Sequence, residues 1–211
     1  MAARRTAIMA VAREMLAEKT VGDISLRELS HRVGLAKSNV LRYFDSREAI
    51  FLEVLDEEIT AWLDEVEERL GRPRARKPGY ANETRVATVI ADSIVEHPLL
   101  CELVSSMAGV LERNISHEFA RDFKARATQK IAALSDLVHR HLPWLPAEFT
   151  AHFAEGALTL TAGMYPFSIP TEAVRAAIAE IGLPDPEVRF GESLRAGLVT
   201  WLIGGAASTQ A

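Results

Sequence analysis

Apolar residues recur at three- and four-residue spacing along almost the whole chain, and no alternating apolar-polar stretch of useful length lies between hairpin turns. The pattern predicts an all-α protein. A first helix over 4–19 places Ile8, Val11, Ala12 and Met15 on one stripe and stops before Gly22, a residue suited to the left-handed conformation that follows a helix. Ser25 and Glu28 then stand at capping-box spacing, with Ile24 positioned to staple against Leu29, which predicts a short helix over 26–32. Gly34 breaks the pattern, and a third short helix follows over 37–43. Asp45 and Ser46 supply caps for a fourth, whose apolar positions Leu52, Leu55, Ile59, Val66 and Leu70 keep helical spacing up to a Gly-Pro break at 71–73. At 1.5 Å per residue a helix over 46–70 spans roughly 37 Å, enough to bridge two domains.

The segment GRPRARKPGYAN at 71–82 reads as a solvated connection. Helices are expected beyond it over 83–96, 98–112, 117–142, 147–165, 171–181 and 187–204, punctuated by proline at 98, 143, 146, 166, 170, 184 and 186. The division that follows is an amino-terminal domain over 1–48 and a larger one over 49–211, joined by the long fourth helix.

Charge sharpens that division. Residues 1–50 hold nine Lys or Arg against six Asp or Glu, a balance of +3, whereas the remainder of a chain of net charge -5 carries -8. Only the amino-terminal part has the sign a polyanion favours. The single cysteine, Cys101, allows no internal disulfide, and no stretch has the roughly 18 uncharged apolar residues of a membrane span. A cytoplasmic protein with no membrane association is expected.

Two short helices joined across a glycine are what a helix-turn-helix requires. In SLRELSHRVGLAKSNVLRYF, over 25–44, Leu29, Val33, Leu35, Val40 and Phe44 suit a small internal core, Ser30 is small where the helices cross, and Gly34 allows the turn. With Val40 and Phe44 inward, Lys37, Ser38, Asn39, Leu41 and Arg42 must face outward, and most of them can donate to or accept from base edges.

Over 25–52 the chain resembles the TetR family: a Gly-Leu turn, Lys-Ser-Asn-Val on the third helix, then Tyr-Phe-Asp-Ser-Arg-Glu-Ala-Ile leading into the fourth. Length and helix count extend a weaker resemblance over the whole chain. The resemblance implies that the second and third helices and the start of the fourth contact double-stranded operator DNA. It further implies that the last two long helices pair with those of a second copy in a four-helix bundle, and that the carboxy-terminal domain encloses a small ligand. Carried over position by position, Arg27 reaches a base from the second helix, Lys37, Ser38 and Asn39 open the recognition helix, and Tyr43 and Arg47 contact phosphate. Ser46 and Arg47 also stand at a helix amino terminus, where free N–H groups favour an anion. The chain departs from the family at Leu41, where Tyr is common, so an apolar contact replaces a hydroxyl contact there.

The second domain is read from side-chain size. Trp62, Met107, Phe119, Phe123, Trp144, Phe153, Met164 and Tyr165 are candidate walls of a pocket for a small apolar or amphipathic effector. Helix 147–165 is rich in small residues, among them Ala154 and Ala157, and 187–204 offers Leu194, Leu198 and Trp201, a combination that predicts a homodimer seam between these two helices. His97 and Cys101 lack further ligands for a tetrahedral metal site. Phosphate loops and nucleophile elbows are absent from the sequence, so neither an enzyme nor a cofactor is expected. The expected protein is a homodimeric repressor released from a pseudo-palindromic operator by its effector. The alternatives are an activator or co-repressor-dependent regulator of the same fold and, further off, a helical interaction protein with no DNA role.

Overall fold

The computed structural model describes residues 2–209, and among these every regular element is a helix. Helix α1 (Ala2–Glu18) lays Ile8, Ala12 and Met15 into the interior and is followed by a 3-10 turn, Val21–Asp23. Gly22 lies inside that turn without a positive φ, so the left-handed stop expected there is replaced by a tighter helical turn.

Helix α2 (Leu26–Val33) starts where the capping residues place it. Ser25 Oγ accepts from the Glu28 N–H at 3.1 Å, but the Glu28 carboxylate turns away to Lys19 Nζ, 2.5 Å distant, so half of the capping box is made. Ile24 and Leu29 are both fully buried beside it. Gly34 closes α2 at φ 73°, a conformation that costs a residue with a Cβ, and its N–H satisfies the last carbonyls of the helix. Helix α3 (Lys37–Val40) is a single turn extended by a further turn to Tyr43.

Helix α4 (Arg47–Leu70) begins on Ser46, whose Oγ accepts from the Ala49 N–H at 3.0 Å. Its apolar face is buried along the length, from Ile50 to Leu70, against α1 and the body. The body comprises α5 (Ala81–Val95), α6 (Pro98–Ser106), α7 (His117–His141), α8 (Ala147–Met164), α9 (Glu172–Glu180) and α10 (Pro186–Ser208). Helix α6 is shorter than the pattern predicts and gives way to a 3-10 turn at Leu111–Arg113. The body is built from two close pairs, α5 with α10 and α7 with α8, with α4 clasped to α7 by Lys130–Asp56 at 2.7 Å and Arg126–Glu53 at 3.2 Å.

At the end of α4 far from the helix-turn-helix, a buried polar cluster seals the chain crossing into α5. Arg85 donates to the Leu70 carbonyl and, at 3.2 Å, to His141 Nδ1. A guanidinium only donates, so His141 must accept and its ring must be neutral. Burial and the charges of Arg85 and Arg140 accordingly hold its pKa below the ordinary 6.5. Because the unfolded chain binds this proton more readily, the contribution is complete above about pH 6.5 and is lost as pH falls towards the folded-state value. The carboxylates held low by salt bridges, such as Glu18 and Glu96, titrate below 4.5 and do not overlap this window. Urea unfolding between pH 7.5 and 5.5 is therefore expected to show a loss of stability in the native chain that is much smaller in His141→Gln. Equal losses in both would remove His141 as the cause.

Candidate nucleic-acid interface and effector groove

The helix-turn-helix residues are positioned by a core that leaves one face free. Val40 and Phe44 are buried, while Arg27, Lys37, Ser38, Asn39 and Arg42 are exposed and Leu41 is 41% exposed. Five of the nine cations in residues 1–50 are engaged with protein carboxylates: Arg5 with Glu53, Arg13 with Glu57 and Glu58, Lys19 with Glu28, Arg32 with Glu18, and Arg47 with Glu48. Among the described residues the four left without a carboxylate partner are Arg4, Arg27, Lys37 and Arg42, of which Arg27 is exposed on α2 and Lys37 and Arg42 are exposed on α3 and the turn that extends it, with Ser38 and Asn39 between them in sequence. Positive charge is thus neutralised over much of the domain and left uncompensated at Arg4, Arg27, Lys37 and Arg42.

Three of the residues grouped with this face have other surroundings. Ser46 is buried and spends its hydroxyl on the α4 cap. Tyr43 is half-buried against the small core. The Arg47 side chain donates through Nη1 to the Ile24 carbonyl at 2.5 Å and through Nε and Nη2 to Glu48 Oε1, and its guanidinium lies 5.8 Å from the Phe51 ring. It braces the start of α2 against the start of α4 and is not a free arm for phosphate.

Contacts from the body reach the same junction. Glu48 Oε2 accepts from Asn114 Nδ2 at 3.2 Å, Ser116 Oγ donates to Asp45 at 2.5 Å, and Glu102 Oε1 on α6 accepts the Val21 N–H at 3.0 Å. Asn114 and Glu102 carry no sequence signal for this role, because the fold brings them across 66 and 81 residues of chain.

In the body, the eight candidate pocket residues do not converge. Trp62, Phe123 and Phe153 are core, and the Trp62 indole N–H is satisfied by Ser93 Oγ at 2.9 Å. Phe119 stacks on Phe123, with ring centroids 6.3 Å apart, and Met107 lies half-buried at the end of α6. Trp144 donates to the buried Glu83 at 2.7 Å beneath the Arg76 guanidinium. Met164 instead lines a groove of about 560 Å³ between the end of α8, α9 and the start of α10, together with Phe167, Val174, Ile178, Leu183 and Phe190. Tyr165 backs this groove edge-on to Phe190, 5.6 Å between centroids, and burial beside Cys101 and Glu102 pushes its hydroxyl pKa up to about 12.

Of the dimer residues expected from the sequence, Ala154, Ala157, Leu194 and Leu198 are wholly buried within the single chain and Trp201 is partly exposed. Small residues do permit a close approach, but between α8 and α10 of the same chain. A Cβ on Gly156 would lie 1.9 Å from Trp201 Cη2, and one on Gly205 would lie 2.1 Å from Phe149 Cζ. Trp201 fills the Gly156 notch and meets Phe153 edge-on. Exposed on α8 are Ala151, Glu155, Thr159 and Gly163 with His152 beside them, and on α10 a strip of Ala196, Thr200, Gly204 and Ala207 continues beyond the exposed Glu192 and Arg195.

His97 pairs with Glu65 at 2.7 Å, and the Cys101 thiol, buried and pushed up to about 12, donates to the Ile94 carbonyl. Among the described residues no three metal-ligating side chains cluster, and no helix is long and apolar enough to cross a membrane.

A short helical head with one uncompensated cationic face, tied to a larger helical body, defines a helix-turn-helix regulator. Family models agree: "Bacterial regulatory proteins, tetR family" matches residues 8–54 and "Tetracyclin repressor-like, C-terminal domain" matches 56–209. The chain belongs to the TetR family of transcription regulators. Similar solved structures include a TetR-family regulator from Mesorhizobium loti (14% identity, 96% of each chain covered, TM-score 0.56). Others are FadR from Bacillus subtilis in complex with stearoyl-CoA (13% identity, 93% of this chain and 98% of that one, TM-score 0.55) and a regulator from Bordetella parapertussis (16% identity, 97% and 96%, TM-score 0.54). At these identities the likeness is one of fold. No curated protein matches the chain in sequence.

Two substitutions separate brace from contact. Arg47→Ala, which strips partners from Glu48 and Ile24, is expected to lower unfolding free energy by about 1–3 kcal/mol. Lys37→Ala, exposed and unpaired, should stay within about 0.5 kcal/mol of the native chain in the same urea titration. The reverse ranking would contradict the placement of both side chains.

Proposed function

We propose that this regulator is a cytoplasmic homodimeric repressor that places two copies of α3 in successive major grooves of a pseudo-palindromic operator and releases it when a small effector binds the body. The observation that supports the DNA face is the charge pattern: Arg27, Lys37 and Arg42 stay unpaired beside Ser38 and Asn39 while the neighbouring cations are neutralised. Arg27, Lys37 and Arg42 hold the backbone or base edges, Ser38 and Asn39 read bases, and Leu41 makes an apolar contact, a thymine methyl being the complementary group. Tyr43, Ser46 and Arg47 support this face from behind.

Two heads must be held about one helical turn, roughly 34 Å, apart, which requires a rigid dimer of bodies. The outward small-residue faces of α8 and α10 suit that pairing, because they let two helix pairs approach closely without displacing the core. Effector release then needs the effector to bind the operator-incompetent arrangement better than the competent one.

Selection of bound sequences from a random DNA pool is expected to return a palindrome with half-sites about one turn apart. Absence of enrichment at low and moderate salt would overturn the proposal. On the selected operator, Asn39→Ala should cost about 1–3 kcal/mol and relax one or two positions, whereas Lys37→Ala should weaken all sequences alike and make the salt slope shallower by about one.

For the dimer, Gly204→Arg on the outer face of α10 is expected to give a folded monomer in sedimentation. Leu198→Glu, a charge placed in the sealed interior, should unfold the body instead. A dimeric Gly204→Arg protein would exclude this face as the seam.

A further inference from the structure

The groove at α8–α9–α10 has the chemistry of a ligand site. Residues 150–211 contain three basic side chains, Arg175, Arg189 and Arg195. Arg175 pairs with Asp185 and Glu187, and Arg195 with Asp92. Among the described residues Arg189 has no carboxylate partner, and it lines the groove beside Ser193. Apart from Ser168 and Gly163 the rest of the lining is apolar, Met164, Phe167, Val174, Ile178, Leu183 and Phe190 with four prolines, and the volume of about 560 Å³ is that of an ordinary small-molecule site. Helix α9 forms one wall yet buries no residue of its own; Phe167 is 80% and Val174 49% exposed. Apolar surface left open around a cation without a carboxylate partner, in a chain whose residues 51–211 carry a net charge of -8, matches a ligand with an apolar chain and one anionic head.

We propose that this groove is the effector site and that its ligand is an amphipathic monoanion, its chain lying along α9 and its carboxylate-like head on Arg189. The proposal rests on the reading of the protein as an effector-released DNA binder and names the location and class of that effector. The site lies next to a physical route to the head. Phe190 in its wall meets Tyr165 edge-on, Tyr165 opens a 3-10 turn, Tyr165–Ser168, that packs against α6, and Glu102 on α6 holds the Val21 N–H in the turn before α2. A ligand that draws α9 onto Phe190 shifts the one α6 side chain that is bonded to the DNA-binding head at Val21.

Dodecanoate and dodecan-1-ol, which share a chain and differ in charge, are the probes, with binding to the full chain measured calorimetrically in the absence of DNA. The native protein is expected to bind dodecanoate about tenfold more tightly than the alcohol. Arg189→Gln should bring dodecanoate down to the level of the alcohol and leave the alcohol unchanged, and Ile178→Glu should abolish both. Circular dichroism of the two variants checks that each remains folded. The site is overturned if dodecanoate binding is unchanged in both variants. It is equally overturned if neither probe binds the native chain while Ile178→Glu alters its sedimentation, which would mean that a second copy covers the groove. Adding dodecanoate to the operator complex tests the regulatory reading separately. Binding that obeys the Arg189 and Ile178 pattern but leaves the complex intact supports the site and overturns only its role in release.

Discussion

The arrangement of this molecule depends on one buried carboxylate. Glu48, in the first turn of α4, has its charge taken up by the Arg47 guanidinium on one oxygen and by the Asn114 amide on the other. A charge removed from water must be met by partners of good geometry, so these groups cannot shift independently. Arg47 passes the constraint to the Ile24 carbonyl, at the entry to α2, and Asn114 passes it to the segment before α7. The orientation of α2 and α3, and with it the proposed DNA face, is therefore set by contacts to the body as well as by the small core beneath Val40 and Phe44.

Placement of charge does the complementary work. The head carries more cations than its surface leaves free, since most are held by carboxylates on α1, α2 and α4. Such exposed pairs add little to stability individually. Their consequence is to confine uncompensated positive potential to Arg27, Lys37, Arg42 and the amino-terminal Arg4. The carboxy-terminal residues 150–209 follow the same pattern, with Arg189 left over in the groove after Arg175 and Arg195 are paired.

Small residues divide the two halves of the body differently from what composition suggests. Gly156 and Gly205 are sites where any side chain would collide with Trp201 or Phe149, so their role is to bring α8 and α10 together within one chain. The outer face of α10 from Ala196 to Ala207 is small as well, and α8 exposes Ala151, Thr159 and Gly163 beside Glu155. One pair of helices thus has two close-packing faces, an inner one filled by aromatic rings and an outer one left open.

The sequence by itself determined the helical class, the caps at Ser25 and Ser46, the turn at Gly34 and the inward set Leu29, Val40 and Phe44, because each of these follows from interactions within a few residues of the chain. The outward positions Lys37, Ser38, Asn39 and Leu41 follow from the same periodicity. Tertiary structure decided what depends on distant partners. Arg47 looks like any arginine at a helix start until Ile24 and Glu48 are seen around it, and Glu102 and Asn114 acquire their roles only when α6 and the 111–116 segment fold back on the head. The periodicity that marks Trp62, Phe153, Leu194 and Leu198 as apolar cannot say whether their partners lie in the same chain, in a second copy or in a ligand, since burial of apolar area is non-directional. Only the packing of α4, α5, α8 and α10 made them core and left Arg189 and α9 at the surface.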